Sequence, residues 1–194
     1  MGQIEIWMIR HGETDWSQAG RHTGRSDVRL TAHGREQALR LAPLLSKQVF
    51  DRVWCSPLSR AQDTAHQAGF NDRFDLMTDL LEWDYGVYEG LTTDEIRISQ
   101  PAFSTWTAEI EGGETLQQVG IRAKRVIDRA ATEKGRTLLF AHAHLLRILT
   151  AKWLGLEPDA GRLLALDPAS VSILGHEHET RVIRLWNLTQ TWCD

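Results

Sequence analysis

Near its amino end the chain reads Ile4-Glu5-Ile6-Trp7-Met8-Ile9-Arg10-His11-Gly12, a mostly apolar run that ends abruptly at a cation, an imidazole and a glycine. The run from Ile4 to Ile9 is rich in β-branched residues, which predicts a short buried strand. Open α/β sheets bind their ligands beyond the carboxyl ends of the strands. We therefore expect a ligand site at Arg10 and His11, with Gly12 allowing the backbone to turn and approach the ligand closely.

The composition indicates an ordinary globular chain. Its 194 residues predict a single domain, residues 1–194. The formal net charge of −4 argues against a nucleic-acid or anionic-membrane partner, since both require clustered positive charge. Met1-Gly2-Gln3 leads directly into the first strand and leaves no room for a signal peptide, so a cytoplasmic location with reduced cysteines is expected. The oligomeric state stays open, with a homodimer as one alternative.

Strand and helix patterns alternate along the chain. Strands are predicted at 51–55, 76–81, 137–141, 171–174 and 182–186, and helices follow at 31–45, 58–68, 92–98, 114–134 and 145–154. Residues 13–27 read as a long polar loop, Pro43 predicts a kink or a last helical turn, and Ser56 a helix cap. This order predicts a three-layer α/β/α sandwich whose central sheet is mostly parallel, with an antiparallel edge near the carboxyl end.

Two further predicted strands end in residues that suit an anion. Arg60 lies in the opening turn of the helix after the second strand, and His142 directly follows the strand 137–141. Since the carboxyl ends of parallel strands lie on one edge, two arginines and two histidines would converge near a helix N-terminus, which favours a phosphate. Taken singly, each residue has an ordinary alternative: a solvated or ion-paired arginine, or a structural histidine.

At this point the chain resembles a known family. Its motifs are Arg10-His11-Gly12-Glu13-Thr14, Thr23-Gly24, Asp27, Leu30-Thr31, Gly34-Arg35-Glu36-Gln37-Ala38, Ser56–Ala65, Glu82–Gly86, Tyr88–Gly90, Gly113–Thr115 and Ala141-His142. They cover nearly the whole chain in the order found in the histidine phosphatase superfamily, whose fold is phosphoglycerate-mutase-like. The resemblance implies a phosphatase fold and a phosphohistidine mechanism, without metal or other cofactor.

The resemblance also implies roles for individual residues. His11 would attack phosphorus. Arg10, Arg60 and His142 would bind the phosphoryl oxygens. Glu82 would protonate the leaving alkoxide and then activate water, and the rings of Trp83 and Tyr85 would partly desolvate its carboxyl. Asp84 and Glu89 are rival acids close to Glu82 in the sequence, and Glu13 is a more distant one.

Secondary contacts follow from the same resemblance. Thr23 and Gly24 match a loop that touches phosphate through a hydroxyl and the backbone. Ser17 stands where many relatives carry asparagine, and Ala143 replaces a glycine, which would narrow the pocket or require a compatible φ. Specificity is expected to depend on residues 82–113 and 17–27.

The leading hypothesis is a metal-independent phosphomonoesterase acting on a small phosphorylated metabolite such as a sugar phosphate. Sugar phosphatases of the sedoheptulose-bisphosphatase type have a similar arrangement to Trp16-Ser17, His22-Thr23-Gly24 and His142-Ala143-His144-Leu145-Leu146-Arg147. A phosphoglycerate mutase is the first alternative, although the chain is short for one. A non-catalytic phospho-ligand binder and a metalloprotein using His142, His144, His176 and His178 are further alternatives. His176 and His178 lie in a predicted polar turn, where we expect exposed side chains.

Overall fold

The computed structural model describes residues 4–71 and 73–189. Its sheet contains β1 Glu5–Arg10, β2 Arg52–Cys55, β3 Asp75–Leu76, β4 Arg136–Ala141, β5 Val171–Glu177 and β6 Thr180–Leu188. Across the sheet the order is β3-β2-β4-β1-β5-β6. Strands β3, β2, β4 and β1 pair in parallel, whereas β5 runs antiparallel to both β1 and β6. The predicted parallel sheet with an antiparallel edge near the carboxyl end is confirmed.

Helices connect the strands and cover both faces of the sheet. They are α1 Asp15–Gln18, α2 Ala32–Leu39, α3 Ala42–Leu45, α4 Ser59–Ala65, α5 Thr93–Ser99, α6 Leu116–Glu133 and α7 Ala143–Trp153. A π-helical turn spans His66–Phe70, and 3-10 turns span Thr78–Leu80, Gly86–Tyr88 and Pro158–Leu163.

The side chains of β1 divide between two hydrophobic cores, as alternation along a strand requires. Ile6 and Met8 pack into a core shared with α6 and α7. Trp7 and Ile9 point to the opposite face and pack into a core shared with α4. Helices therefore lie on both sides of the sheet, which confirms the three-layer α/β/α sandwich.

Several predicted boundaries were wrong in their details. The polar loop 13–27 contains the helix α1, because Thr14 and Ser17 form a capping box. Pro43 lies in the first turn of the separate helix α3, where its missing N–H costs nothing. The third strand has only two residues, since a 3-10 turn follows it.

The helix after β2 also begins later than predicted. Leu58 is its N-cap and α4 starts at Ser59. The hydroxyl of Ser56 is instead bonded to an imidazole nitrogen of His142, at 2.7 Å. A residue expected to cap a helix is thus part of the candidate site.

Gly12 allows a close backbone contact that was not predicted, while its approach to a ligand stays a prediction. A Cβ at Gly12 would lie 2.3 Å from the carbonyl oxygen of Gly34, and a Cβ at Gly34 would lie 2.1 Å from the carbonyl oxygen of Glu13. The two glycines allow the first turn of α2 to pack directly on the backbone after β1. This close packing also explains why Gly34, and not a glutamate, follows the cap residue Thr31 by three positions.

Two general expectations concern membranes and cysteines. Within the described ranges, no helix has the length and apolar character needed to span a membrane. Cys55 is a buried free thiol, and burial raises the pKa of that thiol. Cys193 lies outside the described residues.

Candidate active site

The ends of neighbouring strands bring the predicted phosphate-binding residues together. Arg10 is paired with Ala141 across β1 and β4, so His11 and His142 follow directly on adjacent strands. Their ring centroids lie 5.2 Å apart. Arg60 reaches the same place from α4, with its Nε 3.1 Å from Nδ1 of His142. The convergence expected from parallel strand ends is therefore present.

His11 is held in a form that leaves one ring nitrogen available. Its Nδ1 lies 2.7 Å from the carbonyl oxygen of Gly12. Because a carbonyl can only accept, Nδ1 carries the hydrogen and Nε2 keeps its lone pair. Burial first, and then the charges of Arg60 and Arg10, lower the pKa of His11 well below its ordinary value of 6.5. The ring is therefore neutral near pH 7 and able to act as a nucleophile.

Arg60 is fully buried and connects several parts of the site. Its guanidinium donates to His142 Nδ1 and to the carbonyl oxygens of Ser26, Thr23 and Gly24. Four of its five N–H groups are thus engaged by protein acceptors. Arg60 fixes the Thr23–Ser26 loop against His142 and keeps one N–H free of those bonds.

His142 has both ring nitrogens bonded to protein. Arginine can only donate, so Nδ1 accepts from Arg60 and Nε2 carries the hydrogen that is donated to Ser56 Oγ. Burial lowers the pKa of His142 well below 6.5, with a contribution from Arg60. The ring is neutral and its orientation is fixed by these two partners.

Arg10 is the last residue of β1 and is half-buried. One terminal nitrogen donates to the carbonyl oxygen of Leu166. Its Nε is buried without a hydrogen-bond partner among the described residues. A buried charged donor without an acceptor is unfavourable, so this group suits an incoming anion.

Glu82 is anchored to the start of α7. Its Oε1 accepts from the backbone N–H groups of Trp83 and Leu145, both at 2.9 Å, and its Oε2 accepts from that of His144 at 3.0 Å. The side chain is only 4% exposed. The helix N-terminus therefore positions the carboxyl group, which a single sequence could not show.

A cavity of about 380 Å³ opens in front of His11. The predicted site residues that line it are Arg10, His11, Ser17, Thr23, Glu82 and Ala143. Arg60, His142 and Gly24 are buried beside them. A larger cavity of about 630 Å³ lies elsewhere and is lined by none of the predicted site residues. We assign the smaller cavity to function because it, unlike the larger one, is lined by Arg10, His11 and Glu82.

The three predicted contacts in the 17–24 segment already have protein partners. The Ser17 hydroxyl donates to the carbonyl oxygen of Thr14, in the cap of α1. The Thr23 hydroxyl donates to the carbonyl oxygen of Arg21. Gly24 offers its carbonyl oxygen to Arg60 at 2.9 Å. These residues shape the rim and brace Arg60, and their direct contact with phosphate stays a prediction.

Ala143 is the first residue of α7 and lines the cavity. It does not have a positive φ, unlike five other non-glycine residues of the described chain. The backbone at Ala143 therefore needs no positive φ. The methyl group of Ala143 occupies space at the cavity wall.

The rival acids have structural partners. Glu89 accepts from the backbone N–H groups of Arg25 and Ser26, Asp84 from that of Gly86, and Glu13 from the hydroxyl of Thr31. None of these three carboxylates lines the cavity of the described chain. Geometry thus favours Glu82 as the acid.

The sequence analysis did not predict the role of Arg122, which holds the backbone around Glu82. Arg122 donates to the carbonyl oxygens of Asp79, Leu81 and Glu82, and it forms a 2.7 Å ion pair with Glu114. Burial raises the pKa of Glu114, but the hydrogen bond and charge of Arg122 outweigh it and the net pKa is lowered. Glu114 belongs to a family motif, and that motif was the available signal.

The metal alternative finds no support in geometry. Within residues 4–71 and 73–189, no group of three or more histidine, cysteine, aspartate or glutamate side chains is arranged to hold a metal ion. His176 packs its ring 5.1 Å from that of Trp153, so it is half-buried, contrary to the expectation of an exposed turn. His178 is exposed, as expected.

Comparisons with known proteins agree with this geometry. The family model for the histidine phosphatase superfamily (branch 1) matches residues 6–189. An acid phosphatase of Mycobacterium tuberculosis is 42% identical over 189 residues, covering 95% of this chain and 92% of the relative. The sedoheptulose 1,7-bisphosphatase of Saccharomyces cerevisiae is 34% identical over 181 residues, covering 77% of this chain and 67% of the relative.

A solved structure is also similar. The product of a Mycobacterium tuberculosis open reading frame superposes with a TM-score of 0.90 at 39% identity, covering 95% of this chain and 97% of that one. The family model, the relatives and the fold all indicate the same superfamily. This chain belongs to branch 1 of the histidine phosphatase superfamily and is a phosphatase.

Proposed function

We propose that this chain is a metal-independent phosphomonoesterase that hydrolyses a small phosphorylated metabolite, of the sugar-phosphate class, through phosphorylation of His11. The observation that carries the proposal is the neutral His11 ring, whose free Nε2 belongs to a cavity that also contains Arg10 and Glu82. An unprotonated imidazole nitrogen beside an arginine is the arrangement that phosphoryl transfer to histidine requires.

In the first step, Nε2 of His11 forms a bond to phosphorus while the ester P–O bond breaks. Arg10 and the free N–H of Arg60 bind the phosphoryl oxygens, whose charge they stabilise. Glu82, in its protonated form, gives its proton to the leaving oxygen, because an alkoxide is a poor leaving group. His142 holds Arg60 in place and lies beside the transferred group.

In the second step, a water molecule attacks the phosphorus of phosphohistidine. Glu82 takes a proton from this water as the N–P bond breaks, so inorganic phosphate leaves and His11 returns to its neutral form. Thr23, Gly24 and Ser17 form the loop that closes this side of the site, and Ala143 limits the space beside it. The step consumes one water and needs no cofactor.

The substrate class is supported by two observations. The cavity of about 380 Å³ suits a small molecule. A relative 34% identical to this chain is named sedoheptulose 1,7-bisphosphatase. A single domain over residues 1–194, a cytoplasmic location and a homodimer stay predictions from the sequence.

The test is a phosphate-release assay over sugar phosphates, aryl phosphates and 3-phosphoglycerate, with and without a chelator. We expect release of inorganic phosphate that survives the chelator, and a loss of at least about a thousandfold in His11→Ala. The exposed His178→Ala is the matched control and should keep full activity. Formation of the 2-isomer from 3-phosphoglycerate without phosphate release would show a mutase, and binding without turnover would show a non-catalytic relative.

A further inference from the structure

His144 lies in the cavity wall and forms a close pair with a tyrosine. The Tyr85 hydroxyl oxygen lies 2.6 Å from Nδ1 of His144. Both side chains line the cavity in front of His11. The rings of Trp83 and Trp106 pack at 6.1 and 5.1 Å from that of His144, which restricts its rotation. The proposed mechanism uses neither member of this pair.

The pair joins a protonated phenol to a neutral imidazole. Burial raises the pKa of Tyr85 well above its ordinary value of 10, so the phenol keeps its proton. Among the contacts of the described residues, His144 Nδ1 is the acceptor within reach of this hydroxyl. Burial and then Arg147, His22 and Arg10 lower the pKa of His144 well below 6.5, so its ring is neutral. A Tyr85 hydroxyl that donates to Nδ1 leaves the ring hydrogen of the neutral His144 on Nε2.

The position of His144 relates this N–H to the reacting atoms. The backbone N–H of His144 donates to Oε2 of Glu82 at 3.0 Å, and Glu82 is the proposed acid for the leaving oxygen. The ring of His144 is half-buried and, in the described part of the chain, no protein acceptor is bonded to its Nε2. The side chain of His144 thus lines the same cavity as the carboxyl group that would protonate the leaving oxygen.

We propose that His144, oriented by Tyr85, is a specificity-determining residue that donates its Nε2–H to an oxygen of the leaving group. The inference rests on the proposed phosphatase function and narrows its substrate class. The substrate should carry a hydroxyl or carbonyl oxygen close to the phosphate ester, as polyol and sugar phosphates do. Plain alkyl phosphates leave this N–H without an acceptor and are disfavoured.

The first test reads the ring itself and does not depend on activity. Nitrogen NMR of the histidine side chains, assigned with His144→Gln, distinguishes the two neutral forms of the imidazole. We expect His144 to be neutral at pH 7 with its hydrogen on Nε2. In Tyr85→Phe, which keeps the ring packing, we expect a mixture of the two forms. A hydrogen on Nδ1 in the unaltered protein would overturn the inference.

The second test compares two matched substrates, glycerol 1-phosphate and propyl phosphate, which differ only in two hydroxyl groups. We expect kcat/KM to favour glycerol 1-phosphate by about tenfold or more, since a buried donor left unpaired is costly. His144→Leu should remove that preference, mainly through KM. His144→Gln should restore much of it, because the glutamine amide offers an N–H at a similar reach.

The outcomes separate the inference from the function on which it rests. A preference that is unchanged in His144→Leu would overturn the role of His144 while leaving the phosphatase intact. Failure to release phosphate from these two substrates and from the sugar and aryl phosphates of the wider assay would overturn the proposed function, and the NMR result would still report the tautomer. If His144→Leu fails to fold, the loss of the preference in Tyr85→Phe, expected to be several-fold, decides the kinetic question.

Discussion

The two sides of the cavity are built in contrasting ways. The histidine floor consists of His11, Arg60 and His142, fixed at strand ends and the start of a helix, with buried side chains. The loop wall consists of Tyr85, Thr93, Arg97, Thr105 and Trp106, which come from the irregular segment after Glu82 and from one short helix. The floor is a network in which partners orient one another, whereas the wall is a set of separate contacts. We expect changes to the floor to affect folding and chemistry together, and changes to the wall to affect substrate choice.

Removing the centre of the floor should have the largest effect. Arg60→Ala leaves three carbonyl oxygens and His142 Nδ1 without their donor. We expect a loss of about 3–5 kcal/mol in the free energy of unfolding, measured by urea denaturation. Phosphatase activity should fall by at least about a hundredfold.

The matched control is Arg125→Ala, which removes an exposed arginine paired with Asp79. It should change the free energy of unfolding by less than about 1 kcal/mol. Equal effects of the two substitutions would contradict the description of the floor as a network.

Glu82 lies between the two regions, and its substitution should depend on the leaving group. Glu82→Gln removes the proposed proton donor, so hydrolysis of an alkyl phosphate should slow by about a hundredfold to ten-thousandfold. A nitrophenyl phosphate, whose leaving group needs no proton, should be affected much less in its first step. An equal decrease in the rate of His11 phosphorylation by both substrates, measured in single turnovers, would contradict the role of Glu82 as proton donor.

The buried histidines of the floor, together with His144, make the stability of the fold depend on pH. The pKa values of His11, His142 and His144 are lowered well below 6.5 in the folded state. Below about pH 6.5 the unfolded chain therefore binds more protons than the folded one, and stability falls as the pH falls. Urea denaturation between roughly pH 7.5 and pH 5 should show this slope. His144→Gln should reduce it and His178→Ala should not, while a flat profile would contradict the assignment.

The smallest effects are expected in the loop wall. Arg97 is exposed and donates from its Nε to the carbonyl oxygen of Phe103. Arg97→Ala should lower the free energy of unfolding by less than about 1 kcal/mol. It should raise KM for a sugar phosphate by a few-fold with little change in kcat. A fall in kcat as large as that of Arg60→Ala would remove the distinction between floor and wall.

The contrast between the histidine floor and the loop wall also explains which parts of the site could be predicted from the sequence. The floor follows from strand ends and motifs: Arg10, His11, Arg60 and His142 stand where the sequence placed them, since parallel strands bring their carboxyl ends together. The wall could not be located, because an irregular segment has no period that relates residue number to position in space. The Tyr85–His144 bond joins residues 59 positions apart and has no local signal.

Tight backbone packing was also hidden from the sequence. Gly12 suggested an approach to a ligand, yet the structure shows the backbone of Gly34 against it. Ser56 suggested a helix cap, yet its hydroxyl holds His142. In both cases the residue type was informative, and its partner depended on tertiary contacts that a single sequence does not contain.

The central claim is that His11 accepts the phosphoryl group through Nε2. Rapid mixing with a nitrophenyl phosphate, followed by quenching in alkali and mass spectrometry of peptides, tests it most directly. We predict a phosphorylated histidine at His11, more of it in Glu82→Gln because water activation is slowed, and none in His11→Ala. Continued turnover by His11→Ala, or a phosphoryl group on another residue such as His142, would contradict the account.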